Sequence, residues 1–456
     1  MFIDGAIPFQ RGFNLLMAVP LHSTAERNAL KGSHGRSGLR LACTGFVSLE
    51  GGSVAVANGL LLQSLVEAGH EIDFFSKPAF VDPRPVVGER AGFRFVPVVN
   101  HWSDGLRSKV GSFPLFGVIA EMNDAACYNR QIVSSICDEN LRRNYDLVLW
   151  MGDYAHGGVP GVPTVSFAQG PPGTDARSLI ARGAEIRQLA GWVEAAKWRV
   201  LARIRLSTFG LPSIRHSDHL IVGSQQSRRT LGSLYGVAQS KISTLPYPID
   251  LDLFKAESGK RKAQTGDQTL RVLWLGRIVP RKRLDLFLGG AALAIQQGID
   301  VRLSIVGGTG FVRGYERLIE SFPFPERLEW TREIARSEVP GLLRRHDVLA
   351  QSSDEENFGS SVAEAQACGL PVIVGRTNGN ADYLCPRDIH LCDERTETFA
   401  AALTEMAARK KYGRWGEAAE SRNLAEEKFG VKGVAAQLTE ILQLMADRSR
   451  TSAVPA

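Results

Sequence analysis

The sequence predicts a two-domain α/β protein in which each domain is built around a parallel β-sheet. A chain of 456 residues is too long for one hydrophobic core, since such cores stop growing near roughly 250 to 300 residues. The composition, 44% hydrophobic and 22% charged, is that of an ordinary globular protein. In both halves, apolar runs of strand length alternate with helical patterns, which indicates parallel strands joined by helical crossovers.

The first half opens with a predicted strand–helix–strand unit. Residues 39–46 form an apolar run of strand length, and the pair Gly51 and Gly52 follows it. Residues 53–68 place apolar side chains at helical spacing, and residues 70–75 have the pattern of a second strand. Further strands are predicted at residues 145–151, 163–168 and 218–223.

The second half repeats this pattern after a polar connection. Strands are predicted at residues 270–276, 300–308, 346–350 and 371–374, with helices between them. The predicted division is an N-terminal extension with little order (1–38), a first Rossmann-like domain (39–255), a linker (256–268), a second Rossmann-like domain (269–430) and a C-terminal helix and tail (431–456).

Charge, cysteine content and hydropathy limit the classes of protein. A formal charge of +6 favours anionic partners without choosing among them. None of the six cysteines forms a CxxC pair, which favours a reducing compartment. No apolar run reaches the roughly 18 residues that span a bilayer. We therefore predict a cytoplasmic protein, with no nucleic-acid module to explain the charge.

The segment GRIVPRKRLD at residues 276–285 directly follows the first predicted strand of the second domain. In open α/β sheets that edge faces the ligand crevice. Arg277 and Lys282 lie five residues apart across a proline-stiffened turn, so both can converge on one diphosphate. The alternative is a solvated basic helix start, which is disfavoured because cations at a helix N-terminus oppose the macrodipole.

The segment SSDEENFGSSVAEAQACGLPVIV at residues 352–374 carries two glutamates eight residues apart, Glu356 and Glu364. The helix predicted after Gly359 would aim free backbone N–H groups at an anion. Glu356 is placed to accept hydrogen bonds from sugar hydroxyls, and Glu364 to hold a ribose diol. Two alternatives stay open: Glu356 as an ordinary exposed acid, and Glu364 as the last residue of a capping box that begins at Ser361.

Together these motifs resemble the donor-binding signature of family 4 glycosyltransferases. The matching segments are GRIVPRK, ENFGSSVAE and AQACGLPVI, and the N-terminal EGGSVAVANGLLLQSLVEAGHEIDFF is similar to that family's opening loop and helix. The resemblance implies the GT-B fold, two Rossmann-like domains facing across a cleft. It also implies transfer of a sugar from a nucleotide-diphosphate sugar to a hydroxyl with retained anomeric configuration, without a metal or other cofactor.

Site residues are carried over from the matching motifs. The resemblance implies that Glu356, Arg277 and Lys282 are catalytic. It assigns Arg277 and Lys282 to the diphosphate, Glu356 to the sugar and Glu364 to the ribose. The complete predicted donor-binding set is Gly51, Gly52, Gly276, Arg277, Lys282, Glu356, Asn357, Phe358, Gly359, Ser360, Ser361 and Glu364.

The sequence departs from the family pattern in the first domain. Where many members carry a histidine after a strand, this chain has Gln169. His156 is the candidate substitute on the acceptor side, although a lone histidine is more often structural. A later glycine pair before an acid is present only as NGNAD, residues 378–382, which leaves a role for Asp382 insecure.

Residues 177–216 contain eight Lys or Arg against two acids, with tryptophans interleaved. Such a helix can lie on an anionic membrane surface at the inner membrane face, which suits a lipid-linked acceptor. The alternative is a helix that docks its tryptophans on the protein. Two other functions also remain open, a nucleotide-sugar epimerase of the same architecture and a non-catalytic sugar-nucleotide-binding protein. A dehydrogenase is disfavoured because neither domain shows GxGxxG after its first strand.

Overall fold

The computed structural model describes residues 38–50, 52–77, 81–98, 114–152, 157–170, 173–209, 214–256 and 268–452. The predicted linker at 256–268 lies outside this part of the chain except for its first and last residues, and so does the predicted N-terminal extension except for Gly38. Gly51 and His156 also lie outside it.

The first sheet has seven strands, all paired in parallel, in the order β3-β2-β1-β4-β5-β6-β7. Its strands are β1 Arg40–Gly45, β2 Glu71–Ser76, β3 Phe93–Pro97, β4 Leu147–Met151, β5 Thr164–Phe167, β6 His219–Val222 and β7 Ile242–Thr244. The strand order reverses between β1 and β4, and ligands of open α/β sheets bind at such a switch point.

The second sheet has six parallel strands in the order β10-β9-β8-β11-β12-β13 and reverses between β8 and β11. Its strands are β8 Leu270–Leu275, β9 Val301–Val306, β10 Leu328–Thr331, β11 Val348–Gln351, β12 Val372–Val374 and β13 Ile389–His390. Both halves therefore have the doubly wound Rossmann order, and the predicted fold class is confirmed.

The helices cover the faces of the two sheets. They are α1 Ser53–Glu67, α2 Arg84–Val87, α3 Pro114–Arg143, α4 Thr174–Ala181, α5 Gly183–Phe209, α6 Gln225–Tyr235, α7 Leu284–Gln296, α8 Arg317–Glu320, α9 Val339–Arg345, α10 Ser360–Ala367, α11 Thr396–Lys411, α12 Ala418–Phe429 and α13 Val431–Ser452. Of the helices described, none combines the length and hydropathy needed to cross a membrane.

Helices α4 and α5 lie between β5 and β6 in sequence but pack on the second domain. Leu179 and Ile186 are buried in the same cluster as Phe287 of α7. The rings of Trp198 and Phe311 lie 4.8 Å apart. Trp198 therefore docks on the protein, as the second of the two interpretations of residues 177–216 expected. The structure also places α13 against α1 of the first domain, so the last helix crosses back from the second domain.

Candidate active site

The turn after β8 is shaped by proline and by a close approach of two loops. Pro280 to Lys282 form a single 3₁₀ turn, in which the Lys282 backbone N–H donates to the Val279 carbonyl at 2.9 Å. The loop after β9 passes so close that a Cβ at Gly307 would lie 1.8 Å from the Gly276 carbonyl oxygen. Only glycine fits at position 307, and this contact fixes the backbone from which Lys282 projects.

Lys282 and Glu356 are brought into direct contact, as the sequence predicts for one site. Lys282 Nζ donates to Glu356 Oε2 at 2.8 Å. Arg281 Nη1 donates to the same oxygen at 2.8 Å, a contact that sequence reasoning missed. All three side chains are only 14% exposed, so Glu356 is not the ordinary exposed acid that the alternative required.

Glu356 is held as a carboxylate by its two cationic neighbours. Burial alone would raise its pKa, but the charges of Arg281 and Lys282 lower the pKa of Glu356 to about 2. Burial lowers the pKa of Lys282, and Glu356 opposes that shift. At neutral pH this carboxylate is therefore an acceptor of hydrogen bonds only, which is the property that binding sugar hydroxyls requires.

Arg277 stands apart from this pair. Its side chain is exposed, and it forms no hydrogen bond or ion pair with any residue that the structure describes. The guanidinium is thus available to a ligand, whereas Lys282 is already engaged with Glu356. The structure brings Lys282 together with Glu356 and leaves Arg277 outside their hydrogen bonds.

Arg283 supports the turn rather than projecting from it. Its backbone adopts the left-handed conformation with φ 51°, which is uncommon for a residue with a side chain. The guanidinium donates to Asp285 at 3.0 Å, to Asp354 at 3.2 Å and to Glu394 at 2.8 Å. These three carboxylates hold Arg283 in its conformation and join the turn after β8 to the loop after β11.

Asn357 and Phe358 direct their side chains into contacts between the domains. Asn357 Oδ1 accepts from the Gly223 N–H at 3.2 Å, and Asn357 Nδ2 donates to the Tyr247 hydroxyl at 2.6 Å. Phe358 is buried, and its ring lies 4.9 Å from that of Tyr247. Both side chains therefore position the loop, while their predicted part in donor binding remains a prediction.

Helix α10 begins with Gly359 as its N-cap residue, in the left-handed conformation with φ 82°. A Cβ there would also lie 2.9 Å from Asn378 Oδ1. Within the described part of the chain, the backbone N–H groups of Ser360 and Ser361 have no acceptor. Free N–H groups at a helix start favour an anion, and the phosphate contact of these groups stays a prediction.

The capping-box interpretation of Glu364 is wrong. The N-cap of α10 is Gly359, not Ser361, and no side chain caps the helix. Glu364 is buried, and its Oε1 lies 3.0 Å from Arg336 Nη2 without forming a hydrogen bond of ordinary geometry. Burial raises the pKa of Glu364, although Arg336 lowers it. A buried carboxylate oxygen with unused acceptor capacity is consistent with binding a diol.

Gln169 and Gly52, which belong to the predicted site, lie at the carboxyl end of the first sheet. Gln169 follows β5 and forms two hydrogen bonds with Asn58 of α1, from Gln169 Nε2 to Asn58 Oδ1 at 2.8 Å and from Asn58 Nδ2 to Gln169 Oε1 at 3.1 Å. This pairing fixes the Gln169 side chain against α1. Gly52 is exposed, and a Cβ built there would meet nothing within 4 Å, so nothing in the protein itself requires glycine at that position.

The acid of the NGNAD segment is already engaged. Asp382 Oδ2 accepts from the backbone N–H of Gln225, the first residue of α6, at 2.8 Å. A carboxylate is favourable at that helix N-terminus. Asp382 therefore joins the second domain to the first, and its contact with Gln225 explains an acid at this position without a ligand.

Four successive residues of the loop after β11 contact residues from the first half of the sequence. Asp354 accepts from Arg182, between α4 and α5, at 3.1 Å, and Glu355 accepts from Arg177 of α4 at 3.0 Å. Glu356 connects to α4 through Arg281, and Asn357 accepts from Gly223, directly after β6. The candidate donor loop is thus held by α4 and by the end of β6.

Residues 256–422 match the family model described as Glycosyl transferases group 1. This span contains the turn after β8, the loop after β11 and helix α10. The family match therefore covers the candidate donor-binding residues of the second domain.

Curated proteins similar to this chain align with part of it. A D-inositol 3-phosphate glycosyltransferase of Kineococcus radiotolerans is 28% identical over 180 residues, which is 36% of this chain and 41% of that protein. A GDP-mannose-dependent alpha-(1-6)-phosphatidylinositol monomannoside mannosyltransferase of Mycolicibacterium smegmatis is 28% identical over 216 residues, 44% of this chain and 55% of the relative. The chain spans about half the length of these relatives.

Solved structures are similar over most of the chain. Sucrose-phosphate synthase from Thermosynechococcus elongatus superposes with a TM-score of 0.62 at 16% identity, covering 90% of this chain and 100% of that one. Anabaena HepE, in complex with UDP and glucose, superposes with a TM-score of 0.59 at 16% identity, covering 88% and 99%. The similarity shows a shared fold of two parallel-sheet domains.

Proposed function

We propose that the protein is a retaining glycosyltransferase that moves a sugar from a nucleotide-diphosphate sugar to a hydroxyl group of a saccharide, lipid-linked or small-molecule acceptor. The observation that carries the proposal is the 2.8 Å contact of Lys282 with Glu356 beside the start of helix α10. This is the edge of the sheet at which α/β folds bind ligands. The group 1 family match covers the same residues.

The donor diphosphate binds between the cations and the helix start. Arg277 is exposed and unpaired within the described structure, and Lys282 follows it five residues later. The N–H groups of Ser360 and Ser361 have no acceptor among the described residues. Glu356 accepts hydrogen bonds from sugar hydroxyls, and Glu364 from the ribose. Gly51 and Gly52 bring the first-domain backbone to the diphosphate.

In the reaction, the bond from the anomeric carbon to the diphosphate oxygen breaks while the acceptor oxygen bonds to that carbon on the same face. The acceptor proton leaves with the diphosphate. Charge develops on the departing oxygen, so fixed cations and N–H groups lower the barrier. Because Arg277, Lys282 and the helix start supply this charge, we expect a chelator to leave the rate unchanged, and strict metal dependence would contradict the proposal.

The named relatives guide the choice of donor. One is described as GDP-mannose-dependent, and the HepE structure holds UDP and glucose. Those descriptions belong to those proteins, so both bases are candidates here. UDP-glucose and GDP-mannose are accordingly the first donors to test.

A peripheral contact with an anionic membrane through residues 177–216 would suit a lipid-linked acceptor. The two acids of this segment face the second domain: Glu185 accepts from the Tyr315 hydroxyl at 2.6 Å, and Glu194 accepts from the Arg313 backbone N–H at 3.3 Å. The opposite face of α5 exposes Trp192, which is 72% exposed, and Val193. Arg199 and Arg203 are exposed in the same stretch of helix, after the kink at Gly191. A basic face with apolar side chains is what an anionic bilayer binds.

A donor screen followed by product analysis tests the function. Melting temperature is measured with UDP-glucose, GDP-mannose and the free diphosphates, since a ligand of the native state raises it. Nuclear magnetic resonance then follows the stabilising donor with and without a panel of saccharide and lipid-linked acceptors. We expect an α-linked product from an α-linked donor only when acceptor is present.

The same experiment separates the alternatives. Rearranged sugar from donor alone would indicate an epimerase, and binding without turnover on any acceptor would indicate a sugar-nucleotide-binding protein. Glu356→Gln should abolish transfer, while Glu355→Gln, a change in the adjacent acid that does not contact Lys282, should preserve most of it. Inverted product would overturn the retaining mechanism.

A further inference from the structure

Arg281 lies between two carboxylates that are far apart in the sequence. Its Nε donates to Asp175 Oδ1 at 2.8 Å, and its Nη1 donates to Glu356 Oε2 at 2.8 Å. Asp175 is in the first turn of α4, which packs on the second domain. The side chains of Arg281 and Glu356 are 14% exposed and that of Asp175 is 38% exposed, so the contact with Glu356 is the better shielded from solvent and salt.

The contact with Asp175 fixes the Arg281 guanidinium at one edge. Asp175 accepts from Nε, and Arg281 donates to one oxygen of Glu356 through Nη1. Lys282 donates to that same oxygen. The side-chain position of Glu356 is therefore set in part by a cation that Asp175 holds in place.

We infer that Asp175 is a positioning residue, which acts through Arg281 to orient Glu356 for the sugar of the donor. The inference rests on the proposed function, because it needs a sugar at Glu356. A neutral side chain at position 175 weakens the bond to Arg281 Nε and lets the guanidinium turn, so Glu356 loses a fixed partner.

The test compares Asp175→Asn with Arg177→Gln. Both residues are on α4 and each forms an ion pair with the second domain, but Arg177 pairs with Glu355 and does not contact Arg281. Calorimetry gives the dissociation constants of UDP and UDP-glucose, or of GDP and GDP-mannose, for the pair that the wild type binds. We expect Asp175→Asn to weaken binding of the nucleotide sugar by on the order of 10-fold relative to binding of the free diphosphate. Arg177→Gln should leave the ratio of these two dissociation constants unchanged.

A double-mutant cycle tests the route through Arg281. In an Arg281→Met background, Asp175→Asn should cause no further loss of sugar-dependent affinity, because the group through which it acts is gone. Additive losses, equal losses in Asp175→Asn and Arg177→Gln, or an unchanged ratio in Asp175→Asn would each overturn the inference. Asp175→Ser repeats the test if the asparagine variant does not fold.

Failure of the proposed function would look different. In that case the wild type would bind neither the diphosphates nor the nucleotide sugars, and no ratio of dissociation constants could be measured. If the wild type binds the diphosphate and the nucleotide sugar with equal affinity, the role of Glu356 is overturned, and with it that of Asp175.

Discussion

The Tyr315 hydroxyl donates a hydrogen bond to Glu185 Oε1 at 2.6 Å, which joins helix α5 to the second domain. Burial, and next the charge of Asp285, raise the pKa of Glu185 to about 7, although Tyr315 opposes this. The carboxyl is therefore more easily protonated in the folded protein than in the unfolded chain, where its pKa is near 4.5.

This shift predicts a pH dependence of stability with a definite sign. A folded-state pKa above the unfolded value stabilises the folded protein below about pH 4.5, and this contribution is lost as pH rises to about 7. The melting temperature of Glu185→Gln should therefore fall less between pH 5 and pH 8 than the melting temperature of the wild type. Parallel melting curves for the two proteins over this range would contradict the shift.

Lys282→Ala should reduce kcat/KM by on the order of 100-fold or more, because a cation facing developing charge is lost. Glu356 keeps Arg281 as a partner, so the loss of unfolding free energy should be modest, roughly 1 to 3 kcal/mol. Steady-state kinetics and urea unfolding measure the two effects separately. Wild-type turnover in this variant would remove Lys282 from the site.

Gly359→Ala should destabilise the protein and weaken binding of the diphosphate. The residue has φ 82°, and the new methyl group would lie 2.9 Å from Asn378 Oδ1, so we expect a loss of about 1 to 2 kcal/mol from the left-handed backbone alone. Gly52→Ala is the matched control for folding, because a Cβ there meets nothing within 4 Å. An unchanged melting temperature in Gly359→Ala would contradict the prediction.

The exposed face of α5 predicts binding to vesicles that contain anionic lipid. Arg199→Glu together with Arg203→Glu should lower vesicle binding at least about 10-fold, since each basic residue near the surface contributes on the order of 1 kcal/mol. Lys241→Glu with Lys432→Glu, the same change in charge at exposed sites elsewhere, is the control. Equal sedimentation of all three proteins with anionic vesicles would exclude this face as the membrane contact.

Much of the fold was predictable because its central strands are largely buried. Leu147–Met151 is apolar and buried throughout, and only Arg271 interrupts the apolar run of Leu270–Leu275. The sheet edges gave no such signal: Phe93–Pro97 has only partly buried or exposed side chains, and Ile389–His390 is two residues long. Edge strands like these depend on their neighbours for pairing and lack a pattern of their own.

The candidate site was predictable where its residues are close in sequence. The turn that carries Lys282 and the loop that carries Glu356 each have a local motif. Asp175 was not predictable, because it lies 106 residues from Arg281 in the sequence. Similarly, the amphipathic pattern of α5 showed that one face would be buried but not that the burying surface is the second domain.

The docking of α4 and α5 bears on how the protein can be divided. Leu179, Ile186 and Trp198 are encoded before the predicted linker, yet they complete the hydrophobic core around Phe287. A fragment that starts at the linker would expose this apolar surface to water, while the remaining fragment would carry a long unsupported helical pair. The second domain is thus not an autonomous folding unit, and cutting the gene at the linker would separate each half from part of its own interior.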